Sequence, residues 1–185
     1  MARLFTYGNL SRLATKAGQN HLPGSYFGQY GVQYGAGGFN VTANDMEPGE
    51  IVEISKSTEK GYSVKRATSS LTAATAAIIV RDIMGVRAIQ EGVFENYEPG
   101  TPMTVVPVSA PHGWPIVVPV VDGETPVVGN TVYIGLGTNS TVLGGVYDAA
   151  QGGGSDSIAL TGWTFGSTKF KPTSSSSYAV VIQKF

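Results

Sequence analysis

The side chains best able to do chemistry are few and lie far apart in this chain. Only two histidines occur, His21 and His112, the second within Ala110-Pro111-His112-Gly113-Trp114. A nucleophilic triad needs a serine on a tight turn beside the imidazole, and no Gly-x-Ser-x-Gly elbow exists in the sequence. There is no cysteine, so thiolate nucleophiles, disulfides and zinc-thiolate sites fall together. Glu47, Glu50 and Glu53 could supply paired carboxylates for glycoside cleavage. Glu47 precedes a turn, however, and Glu50 and Glu53 interleave with Ile51 and Ile54, as on the solvent face of a strand.

Binding chemistry is equally sparse. Asp148 and Asp156 flank a Gly-rich stretch without the spacing of an EF-hand or a nonapeptide calcium repeat. Gly135-Leu136-Gly137 and Gly152-Gly153-Gly154 lack the Lys-Ser/Thr pair and the following helix of a phosphate loop. Trp114 and Trp163 are suited to stacking on a sugar, and better suited to anchoring a core or an interface. The expectation is a non-enzymatic chain with no catalytic residue, no metal ligand and no cofactor.

The elements that would carry any site are strands. Three times a turn phrase launches an alternating β run: Pro48-Gly49-Glu50-Ile51-Val52-Glu53-Ile54, Pro99-Gly100-Thr101-Pro102-Met103-Thr104-Val105, and Gly129-Asn130-Thr131-Val132-Tyr133-Ile134. Proline presets φ near −65° and glycine accepts positive φ, so each phrase turns the chain before a strand. Ile51–Ile54 and Tyr62–Arg66 read as a hairpin, Ser70–Ala74 as a short turn, and Ile78–Val80 as a strand. Pro107, Pro115 and Pro119 make Met103–Val108 and Trp114–Val121 edge or bulged strands, because proline cannot donate to a ladder. Thr141–Tyr147 should pair with Val128–Leu136 across Gly137–Ser140, and Gln151–Ser157 reads as a flexible loop. Ile158–Phe165 and Tyr178–Phe185 complete the set, the latter as a strand inside its sheet. About ten short strands, closely spaced turns and no long helix predict an all-β fold, a compact β-barrel or β-sandwich body spanning residues 46–185.

Residues 1–45 read as an extended arm. Seven of the 18 aromatic residues fall in the first 40 positions, among eight glycines, a density that disfavours helix and regular strand. Asn9–Gly18 is the one short helix expected there. Aromatic rings bury large areas on contact, so such an arm orders when laid on a partner. Residues 1–40 carry Arg3, Arg12 and Lys16 with no acid, +3, whereas residues 41–185 carry 9 basic and 13 acidic residues, −4. Three cations are too few for a nucleic-acid footprint, and no apolar run is long enough for a membrane-spanning helix. Charged residues make up 14% of the chain against about 25% in an ordinary soluble domain, which favours association with other proteins.

Four stretches in order carry a resemblance: Tyr97-Glu98-Pro99-Gly100-Thr101-Pro102-Met103-Thr104-Val105, Val128-Gly129-Asn130-Thr131-Val132-Tyr133-Ile134, Leu160-Thr161-Gly162-Trp163-Thr164-Phe165, and Ala179-Val180-Val181-Ile182. Together they resemble the capsid cement, or decoration, proteins of tailed bacteriophages over about residues 47–185. In that family a Pro/Ala-Gly-x-x-Val-x-Val strand, a Gly-x-x-Val-Tyr strand, an Ile-Gly-x-Ala strand and a hydrophobic C-terminal strand follow in the same order. Trp163, where the family keeps a small residue, and the aromatic arm are departures from the pattern. The resemblance implies a virion structural protein, made in the host cytoplasm, that binds the outer capsid surface and bridges neighbouring major capsid proteins. It also implies a homo-oligomer, a dimer or trimer. On that reading Arg3, Phe5, Tyr7, Arg12, Lys16, Tyr26, Phe27, Tyr30, Tyr34 and Phe39 are the candidate capsid contacts. The alternative is a receptor- or glycan-binding module of a head or tail fibre, using Trp114, Trp163 and exposed tyrosines.

Overall fold

The β-branched runs become strands, and their alternation decides which core each side chain joins. The structure, a computed structural model, describes residues 36–57, 61–80, 97–100, 102–110, 113–171 and 177–184. Ten strands follow in chain order: β1 Ala36–Asn40, β2 Ile51–Ser57, β3 Gly61–Arg66, β4 Ala76–Val80, β5 Pro102–Pro107, β6 Gly113–Pro119, β7 Thr131–Gly135, β8 Val146–Tyr147, β9 Ser157–Phe165 and β10 Ala179–Lys184. The first five close into a barrel of order β1-β3-β2-β4-β5, and the last five form a sheet of order β6-β10-β9-β7-β8. The all-β expectation holds, with a barrel and a sheet packed face to face. The expected helix at Asn9–Gly18, both histidines and the run Arg87–Phe94 lie outside the described residues.

Two cores result. Inside the barrel, Val52, Ile54, Val64, Ala77, Ile79, Met103 and Val105 meet, with Met46 and Tyr97 alongside them. Between the layers, Ile51, Ala76, Ile78, Val80 and Val106 of the barrel pack on Ile116, Val118, Ile134, Leu160, Trp163, Phe165, Val180 and Ile182 of the sheet. All five residues of β4 are buried, odd positions facing the barrel interior and even ones the sheet. A short strand apolar on both faces is what a wall shared by two cores requires.

The three turn phrases act alike. Gly49, Gly100 and Gly129 have φ of 88°, 79° and 89°, the left-handed region that glycine enters without strain. Each donates its N–H over 2.8 Å to a strand it does not belong to: Gly49 to Ile79 O, Gly100 to Asn40 O, Gly129 to Phe165 O. The strand receiving the bond is in each case one that the launched strand then pairs with: β4 for β2, β1 for β5, β9 for β7. The phrase therefore fixes register as well as turning the chain.

Several expectations change. Residues 36–40, read as part of the arm, are β1, antiparallel to β5 and parallel to β3. Interior space explains the choice of residue: a Cβ on Gly38 would lie 2.6 Å from Val64 Cγ2, so this wall of the narrow barrel admits only glycine there. Strand β5 is not an edge; it lies between β1 and β4, and Pro102 and Pro107 stand at its two ends. Strand β6 is an edge, and it is bulged, with Trp114-Pro115 set against the single residue Gln183 of β10.

The β7–β8 connection also differs. Only Val146–Tyr147 pairs with β7, through Tyr133 and Ile134. Asn139 and Ser140 take positive φ, 45° and 76°, and the Val142 N–H donates to Tyr147 Oη rather than to a ladder. Thr141–Leu143 is thereby turned out of the sheet.

Overpacking tests the barrel wall. Gly38→Val should cost about 1–3 kcal/mol and lower the Tm, whereas Gly37→Ala, whose Cβ would meet nothing within 4 Å, should leave it nearly unchanged. Thermal melts of the two variants beside the parent make the comparison.

Candidate interaction surface

Nine of the ten predicted contact residues, Arg3 through Tyr34, lie outside the described residues. The tenth, Phe39, is half-buried on β1, opposite Ser63 on one side and Pro102 on the other. Next to it Asn40 is buried and fully engaged. Its Nδ2 donates to Asn44 O at 2.8 Å and Tyr97 O at 2.9 Å, and its Oδ1 accepts from Thr42 N and Thr42 Oγ1. Nothing in the sequence pattern singles out this asparagine; its role follows from where the barrel ends.

Trp163 is withdrawn from any binding surface. Its side chain has no exposed area, and Nε1 donates to Val108 O at 3.0 Å. The reason is a bulge in β9. Leu160 and Trp163 are three residues apart and would face opposite sides of a regular strand, yet both enter the inter-layer core. The β7–β9 register shifts within this stretch, where Gly162 takes φ of 81°. The expectation that Trp163 anchors a core is met, and the sugar-stacking alternative is overturned for it.

Glu53 points away from the barrel interior, opposite Val52 and Ile54, but its side chain is only 12% exposed instead of standing on an open solvent face, and Glu50 stands in the turn before β2 with its side chain 31% exposed. Glu53 Oε1 lies 3.0 Å from Lys65 Nζ, and Glu53 Oε2 accepts from Thr68 Oγ1 at 2.8 Å. Glu50 reaches back to the Glu47 N–H at 2.9 Å, with Arg66 at 3.7 Å. Burial pushes the Glu50 carboxyl above the ordinary carboxylate range, against the lowering effect of the Glu47 N–H and Arg66.

Glu50 also borders a cleft of about 410 Å³ between barrel and sheet. Ile51, Pro119, Val121, Val142 and Leu143 supply its apolar lining, with Asp122 as a second acid. Val142 and Leu143 are 53% and 43% exposed, and Val41, Val127 and Val128 add open apolar surface elsewhere, each above half exposed. These side chains offer contact area rather than chemistry. Among the described residues no three histidine, cysteine or acidic side chains gather as metal ligands.

Two polar clusters hold the loops around the sheet. Glu124 Oε2 accepts from Asp148 N at 3.0 Å, Asp148 Oδ2 accepts from Thr125 N at 2.8 Å, and Lys169 Nζ donates to Glu124 O at 2.8 Å. Burial first, then the hydrogen bond shared with the Asp148 side chain, raises the Glu124 carboxyl above its ordinary range. Asp156 does the reverse job in the stretch read as flexible. It is buried and accepts from Thr138 Oγ1 at 2.8 Å, from Asn139 Nδ2 at 3.0 Å and from Ser155 Oγ at 3.2 Å. Those bonds, Thr138 foremost, hold its carboxyl below the ordinary range. The Gly152–Gly154 3-10 turn beside it is therefore a tied element and not a loose loop.

The two carboxylates predict opposite pH responses. The contribution of Glu124 is complete below its unfolded pKa and lost as pH rises through its raised folded value. Glu124→Gln should therefore raise the Tm at neutral pH, with the gain vanishing by about pH 4. Asp156 contributes above its unfolded pKa and loses that contribution as pH falls through its lowered folded value, so Asp156→Asn should lower the Tm at neutral pH and converge on the parent in acid. Melts of both variants across pH 3–8 check the signs. Trp163→Ala should cost about 3–5 kcal/mol in denaturant unfolding.

The chain matches no protein-family model and no curated protein sequence.

Proposed function

We propose that this chain is a virion structural protein of the cement type: its β body rests on coat subunits, and its N-terminal segment runs across neighbouring ones. The observation that carries this reading is the division of charge. Residues 1–40 hold +3 without a single acid, and residues 41–185 hold −4. A basic, aromatic-rich segment attached to an acidic body fits adhesion to a protein surface at many points, each weak, whose combined avidity is high. At about 3.3 Å per residue, the 35 residues before β1 reach roughly 100 Å when extended, enough to cross a neighbouring subunit. Sparse charge and open apolar side chains at Val127, Val128, Val142 and Leu143 support a body that is covered in use. The ordered series of strand phrases described above supports the same class. The alternative glycan-binding reading loses one of its two tryptophans to the core.

Co-sedimentation with undecorated capsids tests the proposal. The full chain should pellet with the shells. A chain beginning at Ala36, which retains β1 and so keeps the barrel closed, should melt like the parent and stay in the supernatant. Failure of the full chain to pellet overturns the cement reading, and unchanged binding without residues 1–35 overturns the part given to the N-terminal segment.

A further inference from the structure

β1 closes the barrel almost without side chains. Its residue over the interior is Gly38, and Gly37 faces open space. What holds the strand is its main chain: four register pairs with β5, from Ala36↔Val105 to Phe39↔Pro102, and three with β3, from Gly38↔Tyr62 to Asn40↔Val64. The Gly100 N–H to Asn40 O and the Asn40 side chain to Tyr97 O pin its end. A ladder of this kind recognises backbone and a glycine-sized gap, and those are the same whichever copy of the chain supplies the strand.

The slot itself cannot stay empty. Without β1, strands β3 and β5 would both present unpaired edges, and Val64 and Val105, which Gly38 covers, would meet water. The tether to the body is short and well defined. Met46 is anchored by reciprocal bonds with Tyr97, Met46 N to Tyr97 O at 3.0 Å and Tyr97 N to Met46 O at 2.7 Å. Between Met46 and β1 lie Val41 to Asp45, a largely exposed turn, with Val41 58% exposed. Two bonds tie it to the barrel, Val41 N–H to Val64 O at 3.0 Å and Arg66 Nη2 to Asp45 O at 2.9 Å, and its other hydrogen bonds are local, among Asn40, Thr42 and Asn44, so straightening it costs two bonds to the rest of the barrel.

We propose that β1 is an exchangeable strand, hinged at residues 41–45, which leaves its own barrel and fills the vacated slot of a second copy of this chain. Reciprocal exchange restores every β1–β3 and β1–β5 pair and draws the preceding 35 residues across to the neighbour. It deepens the self-association contained in the cement reading, but its test needs only the purified chain, so its failure is separable from failure to bind capsids.

Because the chain has no cysteine, Gly37→Cys and Thr104→Cys place thiols at directly opposed positions of the β1–β5 ladder. Copies carrying only one substitution each are unfolded, mixed, refolded together and oxidised. The expected product is a disulfide-linked heterodimer on non-reducing gels, several-fold above the level formed by either variant alone, and lost when Gly38→Val is added to the Gly37→Cys copy. The double variant shows that the geometry permits the bond. A heterodimer no more abundant than the background of single variants overturns the proposal. So does light scattering that finds the unmodified chain monomeric at every concentration.

Discussion

The constraint on which the rest of the structure depends is that β4 is buried on both faces. Ala77 and Ile79 fill the barrel while Ala76, Ile78 and Val80 face the sheet, so neither core exists without this strand. Burying each of the two isoleucines and the valine contributes about 1.5–3 kcal/mol, and the contribution is shared between layers. Small residues at Ala76 and Ala77 let its start pass between β2 and β5. The barrel and the sheet are therefore one cooperative body rather than two domains joined by a linker.

Register is the second requirement, and the molecule meets it with one device used three times. A positive-φ glycine bonded to a strand about to be paired fixes where β2, β5 and β7 begin. A slip by one residue would exchange the inward and outward sets of side chains. In β2 that would turn Glu53 toward the barrel interior and Val52 and Ile54 away from it. The latches make that alternative costly at the first residue of each strand.

With the core so arranged, functional potential is moved to the surface and to the N-terminal side. The Glu124–Asp148 and Asp156 clusters tie loops to the sheet, and the cleft beside Glu50 is bordered by exposed apolar side chains. Such a body is suited to contact over area. The strand that closes its barrel is also the strand nearest to the aromatic, basic segment, so closure of the fold and any engagement of that segment are mechanically connected.

Much of the fold was legible in the sequence because burial in a sheet repeats every two residues and turns need particular residues. The β2–β3 hairpin, the turn after β3, the strands β4, β6, β9 and β10, and the three glycine turns are all local signals. That Glu53 points away from the barrel interior was equally readable, whereas its cover by partners at Lys65 and Thr68 was not. What tertiary structure alone decided are matters of who lies beside whom. Gly38 looked like part of a glycine-rich arm, since only the space left by Val64 and Val105 makes glycine the residue a strand needs there. Trp163 was readable as a core anchor, but the bulge at Gly162 that turns it onto Val108 O was not. Asn40 and Asp156 carried no motif, because their partners, Tyr97 at a separation of 57 residues and Thr138 at 18, are brought together only by the closed barrel and the packed loops. Local periodicity determined which segments are strands; long-range packing determined which of them close the barrel and which polar groups hold it shut.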